Sequence, residues 1–302
     1  MNKKMIGKLV GVLFFLEALF MLPAIAVCFV YGETGAPLRG FLWTVALLLA
    51  LSGALYGVCA KATREFYAKE GFIIVALGWI LLSAMGALPF YISGEIPHYV
   101  DAFFETVSGF TTTGASVLTD VEAMSHGLLY WRSFTHWVGG MGVLVFVMVL
   151  TSFDKNSMVL MRAEVPGPEK DKLAPKMMTN ARILYGMYLG LTVIQVILLL
   201  FGGMNLFDSL IHTFGTAGTG GFSNYALSVA HFESAYIDGV ITVFMILFGI
   251  NFSLYYLLLL REFKPVWKNE ELRTYLGIIL AAALIITVNI NYIYGNPLTS
   301  FR

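Results

Sequence analysis

Charge is scarce in this chain. Only 13% of its 302 residues are Asp, Glu, Lys or Arg, with 19 of each sign and a net charge of zero at neutral pH. A soluble domain carries about 25% charged residues, so a solvated globular surface is excluded. The zero balance also gives no electrostatic basis for binding nucleic acid. Cysteine is nearly missing: Cys28 and Cys59 lie in separate apolar runs without metal-ligand spacing, and read as small residues facing core or lipid. No HExxH, GxSxG or neighbouring Cys/His pair appears, so no enzyme is expected. The run Gly215–Gly221 is rich in glycine but lacks the Lys-Ser/Thr that ends a Walker loop and follows no strand, which removes a phosphate-binding reading.

What the chain does have is apolar length. Hydrophobic residues make up 58% of it, against about 45–50% in soluble domains. A span needs about 20 predominantly apolar residues, and seven such runs occur, at 6–31, 41–60, 71–92, 127–153, 181–203, 237–260 and 274–294. The expected fold class is therefore an all-α, polytopic membrane protein. The first run follows Lys3 and Lys4 but exceeds the apolar core of about 7–15 residues in a cleavable signal, so it is expected to stay as a span.

Two further segments, 101–111 and 207–217, are moderately apolar but too short to cross. They read as re-entrant half-helices that reach about halfway through the hydrocarbon. Each runs into a loop rich in Thr and Gly: Thr111-Thr112-Thr113-Gly114-Ala115 after the first and Gly218-Thr219-Gly220-Gly221-Phe222 after the second. The two align without gaps at an offset of 107, which places Asp101 on Asp208, Thr106 on Thr213, Thr112 on Thr219, Gly114 on Gly221 and Ser116 on Ser223. Non-helical backbone at membrane depth is tolerated where it is buried in protein or lines a watery path, and there its carbonyls can replace the hydration shell of a cation. The negative C-terminal end of each half-helix would face the same cavity. The repeat points to an ion pathway, with Thr hydroxyls either adding ligands or bracing the loop. The run Trp137–Gly142, inside a full span, reads instead as tight helix packing by small residues.

Sixteen of the 19 basic residues fall on one side if the N-terminus is cytoplasmic, with only Arg39, Arg132 and Arg302 elsewhere. That asymmetry fixes the expected orientation and puts both half-helices on the outer side. The outer segments hold about nine acids, which would raise the local cation concentration; avoidance of Lys and Arg in outer loops explains part of this. His136, His212 and Glu17 are intramembrane ionisable groups and hence candidates for a role, set against simple packing. Arg132 beside Trp131 reads as a snorkelling interfacial pair.

The pieces FFETVSGFTTTGASV, YWRSFTHWVGGMGVLVF, RAEVPGPEKDKLAPKMMTNARIL and DSLIHTFGTAGTGGFS resemble the Trk/Ktr/HKT superfamily of potassium transporters, and its TrkH-type subunits most of all. The resemblance implies four helix–pore-loop–helix repeats about one pore, preceded by two extra helices. On this chain it implies two N-terminal helices (1–70), a first repeat (71–153), a cytoplasmic loop (154–180), a second repeat (181–260) and the start of a third (261–302). It also implies K⁺ as the transported ion with no covalent cofactor, and a selectivity filter at Thr111, Thr112, Thr113, Gly114, Ala115, Gly218, Thr219, Gly220, Gly221 and Phe222. Within that filter, K⁺ would sit at Thr112, Thr113, Thr219 and Gly220. Glycine rather than serine at Gly114 goes with potassium selection in that family. Expected partners are a second copy, membrane lipid and a cytosolic nucleotide-binding regulatory subunit of the TrkA type, at the inner cell membrane. Filter loops three and four are absent from the 302 residues, so an N-terminal portion of a longer transporter is expected. Alternatives are a non-conducting or regulatory membrane subunit, and a sodium-permeable transporter.

Overall fold

The computed structural model describes residues 2–60, 68–142 and 177–296. Among these the regular structure is helical, as the apolar runs require when every backbone polar group must be satisfied away from water. Helix α1 (Lys3–Val30) starts at Asn2, whose side chain accepts from the Met5 N–H, and pairs with α2 (Ala36–Val58), which has Pro37 in its first turn. The two lie close enough for the Ser52 hydroxyl to donate to the Gly11 carbonyl at 2.7 Å. Both cysteines are free and buried, serving as small packing residues, and the Cys28 sulfur lies against Gly127.

Helices α3 (Ala68–Gly86) and α4 (Leu88–Ser93) form one span, Gly71–Ser93. At their junction the Trp131 indole donates to the Gly86 carbonyl at 2.9 Å. The first half-helix, α5 (Tyr99–Phe110), is followed by a loop and then α6 (His126–Met141). The second unit repeats this order: α7 (Met177–Phe201), the half-helix α8 (Leu206–Ala217), a loop with a short 3₁₀ turn at Ser228–Phe232, then α9 (Ala235–Gly249) and α10 (Phe252–Leu259). A short α11 (Phe263–Lys268) leads into α12 (Glu270–Tyr294).

Among the described residues, five helical segments are long and apolar enough to span a membrane, and α9 with α10 makes a sixth if that bent pair is one span. The expected span at 127–153 is described only as far as Gly142, and the expected cytoplasmic loop lies outside the described residues up to 176. The apolar run at 237–260 is broken, because α9 and α10 meet at 91°. Ile250 is extended at the break, and the Asn251 side chain caps the new helix by accepting from the Ser253 N–H. The carbonyls released there are taken up by tyrosine hydroxyls: Tyr255 donates to Leu247 O at 2.7 Å and Tyr275 to Ile246 O at 3.2 Å. Such partners are what permits a sharp kink in an apolar helix.

Helix α6 stands at the centre. It packs on α1, α5 and α8, and its Trp131 is fully buried in a core shared with Leu13, Phe41, Phe110 and Ile211. Helix α12 is the opposite case, with 0% of its spanning window buried.

Candidate functional site

The half-helices have equal length, 12 residues each, or about 18 Å, and each carries an acid in its first turn, Asp101 or Asp208. An acid there complements the positive N-terminal end of the helix dipole. Their other ends close in the same way. In the first, Thr113 N–H bonds to Ser108 O at 2.9 Å and Thr112 N–H to Gly109 O at 3.0 Å. In the second, Gly220 N–H bonds to Gly215 O at 3.2 Å and Thr219 N–H to Thr216 O at 2.8 Å. This is a Schellman closure, which needs a left-handed residue after the helix.

That residue is Thr112 (φ 55°) in one copy and Thr219 (φ 58°) in the other, and two residues on Gly114 (φ 76°) and Gly221 (φ 78°) repeat the left-handed turn. A β-branched residue at positive φ is an outlier, and strain of this kind gathers at ligand clamps. Positive φ recurs at every second residue in both loops. The sequence repeat is thus a repeat of backbone shape.

Side chains brace the loops from behind. Thr111 donates to the Val107 carbonyl at 2.7 Å and lies 2.8 Å from the Thr113 hydroxyl, and Ser108 donates to Ala115 O at 2.5 Å. Glu105, buried on α5, accepts from the Ser116 hydroxyl at 2.8 Å and the Val117 N–H at 3.0 Å. Its counterpart on α8 is His212, whose Nε2 is 3.1 Å from the Ser223 hydroxyl and whose Nδ1 is 2.9 Å from Asp208 O. His212 is therefore occupied in bracing. Asp208 accepts from Asn224 at 2.8 Å and from the Tyr225 hydroxyl at 3.0 Å, and burial together with that bond pushes the Tyr225 phenol up to about 12.

Arg132 overturns its expected place at the membrane interface. It is only 4% exposed, and its Nε meets Glu105 at 2.6 Å while NH1 donates to Ser223 O at 3.0 Å. Its guanidinium lies 3.5 Å above the Phe222 ring. One side chain therefore joins the back of both loops, with a charged pair that is buried and hydrogen-bonded on both sides. The loops also touch directly: a Cβ placed on Gly114 would fall onto the Gly220 carbonyl oxygen. Of the residues singled out in sequence, Phe222 and Gly218 are buried and Thr112, Gly114 and Gly220 half-buried, while Thr111, Thr113, Ala115, Thr219 and Gly221 are exposed.

The glycines of α6 bear out the packing reading and make it specific. A Cβ on Gly139 would strike Phe110 O at the end of α5, and one on Gly140 would meet the Tyr188 hydroxyl and lie 3.0 Å from Ala217 O at the end of α8. The acids of the connecting segments are structural as well. Glu33 accepts from the N–H groups of His126 and Gly127 at 2.7 and 3.0 Å, and Glu95 from that of Ser125 at 2.9 Å, so two remote carboxylates cap α6 at its positive end. Burial raises the Glu95 carboxyl above the ordinary carboxylate range, against that N–H bond. Glu122 reaches across to the Ala226 N–H of the second unit at 3.0 Å. Glu17 is buried on α1 against Gly86, with neither carboxylate oxygen hydrogen-bonded among the described residues.

A family profile described as TrkH, cation transport protein, matches residues 39–289. The "Trk system potassium uptake protein TrkH" of Salmonella typhimurium is 36% identical over all of this chain and 63% of its own length. The Escherichia coli K12 protein of the same description is 36% identical over 95% of this chain and 60% of its own. The crystal structure of the potassium transporter TrkH from Vibrio parahaemolyticus superposes on all of this chain and 62% of that one, with a TM-score of 0.85 and 29% identity. The chain spans about three-fifths of the length of these relatives.

Proposed function

Because this chain belongs to the TrkH family of cation transport proteins, we propose that it takes part in potassium uptake across a cell membrane. Dehydrated K⁺ passes the backbone of Thr111–Ala115 and Gly218–Phe222, which act as parts of a selectivity filter. The supporting observation is the paired left-handed backbone at Thr112/Gly114 and Thr219/Gly221, which gives both loops the same turn at the negative ends of two half-helices; their carbonyls are the proposed ion ligands. K⁺ is bound and released without covalent chemistry, so the chain works as a transporter rather than an enzyme. The relatives' descriptions as potassium uptake proteins and Gly114 both favour K⁺ over Na⁺.

The proposed organisation is two N-terminal helices (1–70), repeats at 71–153 and 181–260 joined by a cytoplasmic loop (154–180), and a third unit from 261. The N-terminus is placed in the cytoplasm, at the inner cell membrane, on the charge asymmetry of the flanking segments. A second copy and a TrkA-type nucleotide-binding subunit on the basic inner face are the proposed partners.

The test is growth at limiting potassium of a bacterium lacking its own uptake systems and expressing the full chain, with membrane insertion verified. Wild-type protein is expected to lower the K⁺ requirement, and Gly114→Ser to admit Na⁺. An inserted chain that leaves the requirement unchanged, and whose melting does not distinguish K⁺ from Na⁺, overturns the reading.

A further inference from the structure

His136 stands on α6 where the two Thr/Gly loops meet, and it is 0% exposed. Neither ring nitrogen has a hydrogen-bond partner among the described residues. A neutral imidazole carries one donor and one acceptor, and a buried polar atom left unpaired is costly. Packing alone could be met by a phenyl ring, so the nitrogens call for an account.

Their surroundings supply one. A Cβ placed on Gly220 would overlap His136 Nε2 and lie 2.9 Å from the Thr112 carbonyl oxygen. The imidazole nitrogen of α6 is thus seated directly against the side-chain-free face of Gly220, beside the carbonyl of the first loop. The ring is held edge-on to Phe222 at 4.0 Å and 71°, and the His136 carbonyl faces Gly218, where a Cβ would sit 2.8 Å from it. Arg132, one turn earlier, is committed to Glu105 and Ser223. His212 differs, since both its nitrogens are engaged within its own repeat.

We propose that His136 is a polar positioning residue for ion selection: its Nε2 edge, seated against Gly220 beside the Thr112 carbonyl, sets the separation of the two loops. The proposal rests on the filter reading above, and its test separates the two.

The full chain is purified in detergent as wild type, His136→Gln and His136→Phe, and the rise in melting temperature with K⁺ is compared with that from Na⁺ at equal ionic strength. Gln keeps a donor and an acceptor and is expected to retain the wild-type preference. Phe keeps the volume, and is expected to fold with wild-type helix content but lose about tenfold of the K⁺ preference, the equivalent of one hydrogen bond. A Phe variant with wild-type preference, or a Gln variant as impaired as Phe, overturns the inference. A wild-type chain that does not distinguish K⁺ from Na⁺ overturns the filter reading itself.

Discussion

Replacing Arg132 by Met would leave the Glu105 carboxylate buried without its counter-charge, and breaking a buried pair from one side costs about 3–5 kcal/mol. The companion change Glu105→Leu removes the orphaned charge, so the double variant is expected to melt closer to wild type than Arg132→Met alone, a coupling that thermal melting of all four proteins measures. Arg132→Lys is expected to resemble Met more than wild type, because an ammonium cannot reach Glu105 and the Ser223 carbonyl in the fork geometry of a guanidinium. At Gly114 and Gly221 the same substitution separates two equivalent positions. Ala costs about 1–2 kcal/mol at either for its left-handed backbone. At Gly114 its Cβ would also meet the Gly220 carbonyl, whereas at Gly221 the nearest atom is the Met245 methyl at 3.9 Å. Gly114→Ala is therefore expected to lower both the melting temperature and K⁺ preference well below Gly221→Ala; equal effects would contradict the contact between loops. Little of this bracing was legible beforehand. Arg132 and Glu105 lie 27 residues apart, and an Arg beside Trp131 at the start of a span gives the same sequence signal as an interfacial anchor. The available clue was the offset of 107, which sets Glu105 on His212 and Ser116 on Ser223.

Among the elements, α6 is the one whose displacement reaches both loops. Gly139 and Gly140 let it lie against the ends of α5 and α8, and a large side chain there forces main chain apart, at about 1–3 kcal/mol or more. Gly139→Leu is expected to lower the melting temperature by several degrees and abolish K⁺-specific stabilisation. Gly190→Leu on α7 is the control, since a Cβ there meets nothing within 4 Å, and it is expected to leave both unchanged. The half-helices could be read from sequence because their apolar segments are too short to span and run straight into Thr and Gly. The break between α9 and α10 could not. The run 237–260 has no Pro and only Gly249, Asn251 and Ser253 interrupt it at the break, while the hydroxyls that hold the freed carbonyls come from Tyr255 and from Tyr275 on a later helix.

For the whole molecule, the orientation proposed from Lys and Arg becomes testable through the two native cysteines, which are 0% and 6% exposed and give a low labelling background. Lys4→Cys and Asp120→Cys are each introduced into the full chain, and intact cells are treated with a membrane-impermeant maleimide. Asp120→Cys is expected to react from outside and Lys4→Cys only after lysis; the reverse pattern would invert the topology. Glu33, Glu95, Glu105, Asp120, Glu122 and Asp208 all accept hydrogen bonds within the fold, so these six acids fasten half-helices, loops and α6 to one another.

The fastening has a mechanical consequence. With Glu105, the Ser223 carbonyl and the Phe222 ring all held by Arg132, neither loop can swing outward without tearing a buried ionic contact. As parts of the proposed filter, the two loops would then sort ions as a fixed sieve rather than open and close as a valve.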